Sequence, residues 1–330
     1  MFTSGKPAGS RILVVRLGAM GDIIHTLPAA ASLKQSFPGS DLTWLVEPKW
    51  APLLEENPFV DRVLYLRRHS LAGIYRSWRE LRARPYDFAV DFQGLIKSAL
   101  AASSAHPFRI FGFHHTQVRE RAAAFFYSNK TISRSAHVVD LNLDLAAAAG
   151  ATNLTRAFPL PPGRPEGDLP SGDFVLSSPL AGWRSKQWPL EYYRALAARL
   201  HGEMGMPLVL NLPPGAAPPQ IEGSVPHFSS LAGLIDATRR AAAVLGVDSG
   251  PLHLAAALGK PGVAVFGPTD PARNGPYGDS MQILRNSTAV TTYRRGDTID
   301  ESMRAISPND VFEALRAVLR ERRPHAGYAV

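Results

Sequence analysis

Short apolar runs alternate with stretches of helical periodicity along the whole chain. In the first half, the runs Arg11–Leu17, Leu42–Val46, Arg62–Leu66, Phe88–Asp91 and Arg109–Phe111 predict strands. Between them the patterns of Ile23–Ser36, Ala51–Glu56, Leu71–Arg84 and Leu95–Ser104 predict helices. Ala136–Ala149 reads as a longer helix closed by Gly150, a fitting residue just past a helix end. Strand–helix alternation of this kind implies a parallel sheet covered on both faces.

The composition then changes. Phe158–Pro170, "FPLPPGRPEGDLP", carries five prolines and two glycines, too many for a helix or a central strand. A second alternating set follows, with strands at Phe174–Ser177, Pro207–Leu212, Ala243–Val247 and Gly262–Phe266 and helices at Leu190–His201, Leu234–Arg240 and Pro251–Leu258. The last element, Pro308–Arg322, is amphipathic, with Val311, Leu315, Val318 and Leu319 on one face. The expected organisation is a Rossmann-like domain over residues 1–157, a linker over 158–170 and a second Rossmann-like domain over 171–306. A C-terminal helix within 307–330 is expected to pack back on the first domain. Two doubly wound α/β units joined in this way place a central ligand cleft between the carboxyl ends of both sheets. That architecture suits a glycosyltransferase, a dehydrogenase or a two-domain binding protein, so the site residues must decide.

Length and composition agree with two soluble domains: 330 residues, 45% hydrophobic and 19% charged. No apolar stretch approaches the roughly 20 residues of a membrane-spanning helix, and Met1–Ser10 lacks a signal-peptide core. The absence of cysteine excludes disulfides, Cys-based zinc sites and thiol nucleophiles, and favours the cytoplasm. A net charge of +8 attracts anions. Between Arg62 and Arg84 lie Arg67, Arg68, Arg76, Arg79 and Arg82, opposed only by Glu80. No helix-turn-helix, aromatic-studded RNA-binding signature or basic tail accompanies them, so nucleic acid is not the expected partner.

Three loops carry candidate chemistry. The first is "RLGAMGDIIHTLPAA", after the apolar run Ile12–Val15. Its glycines, Gly18 and Gly21, do not make the G-x-G-x-x-G dinucleotide fingerprint. Asp22 either caps the following helix or acts as a base at the cleft mouth, where a helix dipole favours the ionised carboxylate. The second is "GWRSKQWP", where Arg184, Ser185 and Lys186 reach the cleft edge and Lys186 is suited to neutralise a phosphate leaving group. The third is "VDSGPLHLAAALGKPGVAVFGPTDP", in which Asp248, Ser249 and Gly250 precede Pro251 at a helix start. Free N–H groups there, with the Ser249 hydroxyl, make a phosphate site that Gly250 lets a ligand approach. His253 is either a structural imidazole or a ligand contact.

The motifs "GAMGDIIHTLPA", "DFQGLIKSA", Val118–Arg121, "SKQWP", "DSGPLHLAAALGKP" and "FGPTDP" together resemble glycosyltransferase family 9, from about Arg11 to the last helix. The resemblance implies the GT-B fold, with the first domain taking the acceptor and the second the nucleotide sugar. It implies inverting transfer of heptose from ADP-heptose to the Kdo sugar of lipid A, an anionic acceptor at the inner face of the cytoplasmic membrane. Asp22 then matches the general base, Lys186 the residue steadying the departing ADP, and Asp248 a contact to the donor sugar. Ser185, Ser249, Gly250 and His253 fall in the donor region. Gly21, Arg67, Arg68, Gln93, Lys97 and Arg119 fall on the acceptor side. No cofactor is implied, and the chain has no D-x-D pair for a metal-bridged diphosphate. The alternatives are a family 9 transferase that uses an already heptosylated acceptor, or a nucleotide-sugar binding protein without catalysis. The stretch "NLPPGAAPPQIEG" departs from the family's polar ribose-binding loop, leaving Asn211 or Glu222 as substitutes. Leu71, Ile74, Tyr75 and Trp78 in the arginine-rich segment either pack inward or enter a lipid interface.

Overall fold

The computed structural model describes residues 9–321, in two compact units, Met1–Pro161 and Pro162–Val330. In the first unit the strands are β1 (Arg11–Val15), β2 (Asp41–Val46), β3 (Arg62–Tyr65), β4 (Phe88–Asp91), β5 (Arg109–Phe113) and β6 (Asn129–Thr131). They pair in the order β3-β2-β1-β4-β5-β6, every pair parallel. The helices are α1 (Met20–Ile24), α2 (Leu27–Ser36), α3 (Leu71–Arg82), α4 (Ile96–Ser104) and α5 (Val138–Ala148). The second unit repeats the plan with β7 (Val175–Ser177), β8 (Leu208–Leu212), β9 (Ser224–Phe228), β10 (Ala243–Val247), β11 (Gly262–Phe266) and β12 (Met281–Arg285). Their order, β12-β11-β10-β7-β8-β9, is the same doubly wound arrangement, again wholly parallel. Its helices are α6 (Leu190–Met204), α7 (Leu231–Arg240), α8 (Gly250–Ala257), α9 (Pro271–Asn274), α10 (Glu301–Arg304) and α11 (Pro308–Glu321).

The central strands form because their residues are apolar on both faces. Ile12 to Val15, Val175 to Ser177 and Ala243 to Val247 are buried throughout. Beneath α3 and α4 the first core joins Leu13, Val15 and Ala89 to Leu81, Ala99 and Ala102.

The three strands missing from the sequence reading, β6, β9 and β12, are all sheet edges. They are partly exposed and interrupted by polar residues, β6 has only three residues, and β9 contains Pro226, which only an edge accepts. The helix expected over Ile23–Ser36 begins earlier and is broken. Pro28 cannot donate to the Ile24 carbonyl, so α1 ends there and α2 restarts at Leu27. Pro48 and Pro52 likewise turn the expected Ala51–Glu56 helix into a 3-10 segment, Pro48–Leu53.

The C-terminal helix belongs to the second unit's core. Its face of Val311, Phe312, Leu315 and Leu319 lies there with Leu196 and Leu200 of α6. Arg322 and the residues after it lie outside the described residues. The proline-rich stretch is tied down on each side of the unit boundary. Asn57 donates to the Pro159 carbonyl at 2.8 Å, while the Arg164 N–H donates to Ala232 at 3.0 Å. Glu166 accepts from the backbone and hydroxyl of Ser230, each at 2.6 Å, and these bonds hold its carboxyl below the usual range.

Candidate active site

In a doubly wound sheet the strand order reverses at one place, and the loops leaving the two strands there diverge to open a crevice. In the first unit those strands are β1 and β4, whose last residues, Val15 and Asp91, face each other in register. The loops that follow are stitched together, for Gln93 Oε1 accepts from Leu17 N at 3.0 Å and Gly18 N at 3.3 Å. Beneath them Asp91 is fully buried and accepts from Ser98 at 2.8 Å, Tyr127 at 2.7 Å and the Gln93 N–H at 2.9 Å. Burial pushes its carboxyl up, and these hydrogen bonds oppose the rise.

Asp22 stands at the third position of α1, whose cap is Ala19, rather than at the cap itself. Its Oδ2 accepts from the Ala19 N–H at 3.0 Å, half of a capping box, and its Oδ1 meets Arg16 Nη2 at 2.7 Å. Arg16 is 8% exposed and also donates to the Phe92 carbonyl, so it is clamped between the two loops. The Asp22 side chain is 36% exposed, and each oxygen keeps a lone pair beyond the contact it already makes. Cap and proton acceptor are therefore compatible roles. Gly21 is buried within α1. Gly18 allows a close approach, since a Cβ there would lie 2.7 Å from Trp50 Nε1.

The basic residues assigned to the acceptor side separate into two groups. Arg68 Nε and Lys97 Nζ converge on Glu47, at 2.9 and 3.4 Å. Burial raises the Glu47 carboxyl, but the two cations outweigh it and bring it below its ordinary value. Glu47 donates its N–H to the Leu17 carbonyl, so this cluster adjoins the Asp22 loop. Arg119 is exposed beside Gly94, whose carbonyl accepts from Glu120 N, while the Glu120 carboxylate accepts from Ile96 N at 2.7 Å. Arg67 turns away to Glu80 of α3 at 3.2 Å and stacks over Tyr65.

In the second unit the reversal lies between β7 and β10, where Ser177 is opposite Leu245. The loop after β7 forms a 3-10 turn, Arg184–Lys186, anchored by the buried Trp188, whose indole donates to the Ile306 carbonyl at 2.9 Å. Ser185 fixes the turn through its N–H to Gly296 and its carbonyl to Asp300. Lys186 Nζ reaches Asp248 Oδ2 at 2.6 Å and lies over the Trp183 ring, which Arg295 also approaches. His253, in the first turn of α8, brings Nε2 to 3.4 Å from Asp248 Oδ1. Burial pushes Asp248 up, but His253 and Lys186 overcome it and hold the carboxyl well below the usual carboxylate range. The charge of Asp248 in turn helps burial to raise the Tyr293 phenol.

The hydroxyls of Ser185 and Ser249, next to the pair in sequence, and of Thr269 after β11 are buried without a hydrogen-bond partner among the described residues. Ser249 caps α8 by position without a side-chain bond, and Gly250 opens the helix. A cation, unengaged hydroxyls and a helix start with unpaired N–H groups form a set of donors for an anion such as a diphosphate.

Each loop pattern was legible separately, but Arg16, Glu47, Asp91, Trp183 and Tyr293 were not singled out. Arg16 directly follows an apolar strand, a signal that would have marked it. The two ribose substitutes lie in different surroundings. Asn211 Oδ1 is taken by His227 and Ser229, each at 2.8 Å, and Glu222 precedes β9, at the edge of the sheet away from the crevice.

The model of glycosyltransferase family 9 (heptosyltransferase) matches residues 74–301. Lipopolysaccharide heptosyltransferase 1 of Escherichia coli K12 is 31% identical over 310 residues, 83% of this chain and 93% of that protein. Lipopolysaccharide heptosyltransferase 1 of Pseudomonas aeruginosa is also 31% identical, over 82% of each chain. Lipopolysaccharide heptosyltransferase 2 of Salmonella typhimurium is 28% identical over 94% of this chain and 99% of its own. Among solved structures, E. coli heptosyltransferase WaaC with ADP superposes with a TM-score of 0.74 at 25% identity, covering 93% of this chain and 99% of that one. The fold is the GT-B fold.

Proposed function

The chain belongs to glycosyltransferase family 9, the heptosyltransferases, and we propose that it is heptosyltransferase I of lipopolysaccharide inner-core synthesis. On this reading it moves L-glycero-D-manno-heptose from ADP-heptose to the Kdo of Kdo-lipid A, at the inner face of the cytoplasmic membrane. The observation that carries it is the Lys186–Asp248 pair at the second switch point, with the unengaged hydroxyls of the adjacent Ser185 and Ser249. That set suits a nucleotide diphosphate, and the solved relative with ADP supports the assignment.

In the proposed reaction the acceptor hydroxyl attacks the anomeric carbon in one displacement, the bond to the diphosphate breaks, and the anomeric configuration inverts. Asp22 takes the hydroxyl proton as the new bond forms. An aspartate is a weak base, but the proton becomes acidic only as the bond develops, so a positioned carboxylate suffices. Arg16 fixes the orientation of that carboxylate. Lys186, the α8 N–H groups and the Ser249 hydroxyl receive the charge building on the departing ADP. Asp248 meets the donor sugar and keeps Lys186 in place. Cations and backbone donors serve the diphosphate without a metal ion, so turnover is expected to persist in a chelator, and its loss there would contradict this. Arg68, Lys97, Gln93 and Arg119, with Arg67 in the loop before α3, serve the acceptor's carboxylates and phosphates.

A second family 9 reading differs only in acceptor, so acceptor choice tests the assignment. Purified protein with ADP-heptose is expected to add one heptose to Kdo-lipid A, read by product mass. Transfer only to the already heptosylated acceptor would overturn heptosyltransferase I in favour of heptosyltransferase II.

A further inference from the structure

Helix α3 is amphipathic in the wrong direction for a core helix. Only Ser77 and Leu81 of its residues are buried against the unit. Leu71, Ile74, Tyr75 and Trp78 are 86%, 48%, 59% and 41% exposed. Their spacing puts all four within about 100° of the helix circumference, a continuous stripe. The neighbouring α4 adds exposed Ile96 and Leu100, and the 3-10 segment Arg121–Phe126 packed on α4 adds Phe125. A soluble surface seldom leaves so many large apolar groups together without a partner.

The helix is firmly held despite this exposure. Ser77 Oγ accepts from Arg67 N at 2.9 Å, and Ser70 caps the first turn by accepting from Gly73 N at 3.1 Å. Gly73 fits because a Cβ there would lie 2.8 Å from the Arg67 carbonyl. The stripe is thus presented on a rigid element.

Its border is basic. Arg76, Arg79 and Arg82 lie along the helix, Arg82 stacks over Trp78, and Glu80 is already paired with Arg67. Because helices run back along a parallel sheet, the starts of α3 and α4 lie at the carboxyl ends of the strands. Leu71 and Ile96 therefore share an edge with the Asp22 loop and the Arg68–Glu47–Lys97 cluster.

We propose that α3, with the exposed edge of α4, docks the protein on an anionic lipid bilayer. Leu71, Ile74, Tyr75 and Trp78 enter the headgroup boundary, and Arg76, Arg79 and Arg82 meet anionic headgroups. Apolar insertion with a cationic rim distinguishes a lipid surface from a second copy of this chain, which would bring the same arginines against each other. The proposal rests on the reading that the acceptor is lipid-borne, and it brings the membrane to the edge carrying the acceptor residues.

The test is flotation of the full chain with acceptor-free vesicles, either pure phosphatidylcholine or an equimolar mixture with phosphatidylglycerol. Wild type is expected to float with the anionic vesicles and to be released by high salt. Leu71→Ser/Ile74→Ser/Trp78→Ser is expected to lower the partition coefficient about tenfold or more, and Arg76→Glu/Arg79→Glu to abolish the salt-sensitive part. Both variants should release ADP with a detergent-dispersed acceptor at the wild-type rate, because none of these residues belongs to the transfer site. Flotation of the triple variant like wild type would overturn the proposal. So would a dimer in gel filtration that the triple variant converts to a monomer. Wild type that floats but transfers no sugar would uphold the docking surface and contradict the transferase reading.

Discussion

Asp22→Asn is expected to lower kcat by about 10²–10⁴, the usual contribution of a positioned general base. ADP affinity should stay at the wild-type value, because the donor set is built on the other unit. Asparagine keeps the side-chain shape and can still accept one hydrogen bond, so the loss isolates proton acceptance from packing. The fold should tolerate the change. Asp22 is partly exposed, and weakening its contacts to Ala19 and Arg16 removes about 1 kcal/mol. ADP release in a continuous assay, with a thermal melt alongside, measures both quantities. Full turnover in the variant would remove Asp22 from the chemistry and leave it a helix-capping residue.

Lys186→Ala is expected to cost about 10²–10³ in kcat/KM, the size of a lost charge-stabilising donor. It should also weaken ADP binding, because the cation facing the leaving diphosphate is gone. Here the structural contribution is larger. Lys186 and Asp248 are both largely buried, and removing one partner leaves Asp248 dependent on His253 alone. Breaking such a pair costs about 3–5 kcal/mol, so activity must be expressed per folded molecule. A purely structural lysine predicts a lower melting temperature with ADP affinity unchanged once folding is corrected for. The phosphate role predicts that both fall. Lys186→Arg should recover stability better than rate, since the planar fork keeps the charge but does not reproduce the ammonium's single point of contact.

Much of the architecture was legible because the informative strands are buried on both sides. A run such as Ile12–Val15 has only one good explanation in a chain that alternates strands with helices. The strands that escaped, β6, β9 and β12, sit at sheet edges, where exposure erases the apolar pattern. The C-terminal helix was legible from its apolar face of Val311, Leu315 and Leu319, but that face does not by itself state that it fills the core beside α6.

The site divides in the same way. Asp22, Lys186, Asp248 and Ser249 were visible because each follows an apolar strand in a Gly- or Ser-containing loop. What the sequence does not display is contact between residues far apart. Gln93 serves the backbone of Leu17 and Gly18 from 76 and 75 positions away, and Lys186 meets Asp248 across 62. Arg16 was hidden for a related reason: its importance lies in a carboxylate and a carbonyl on two different loops. Asn211 shows the converse, a polar residue in a suitable place whose acceptor is already spent on His227 and Ser229.

The central claim is a single displacement in which a base-activated acceptor expels ADP, and the anomeric configuration of the product tests it most directly. β-Linked ADP-heptose and Kdo-lipid A, incubated with the wild-type protein and examined by proton NMR of the new glycosidic linkage, should give the α-heptoside. A β-heptoside, formed with retention, would contradict a one-step transfer with Asp22 as base.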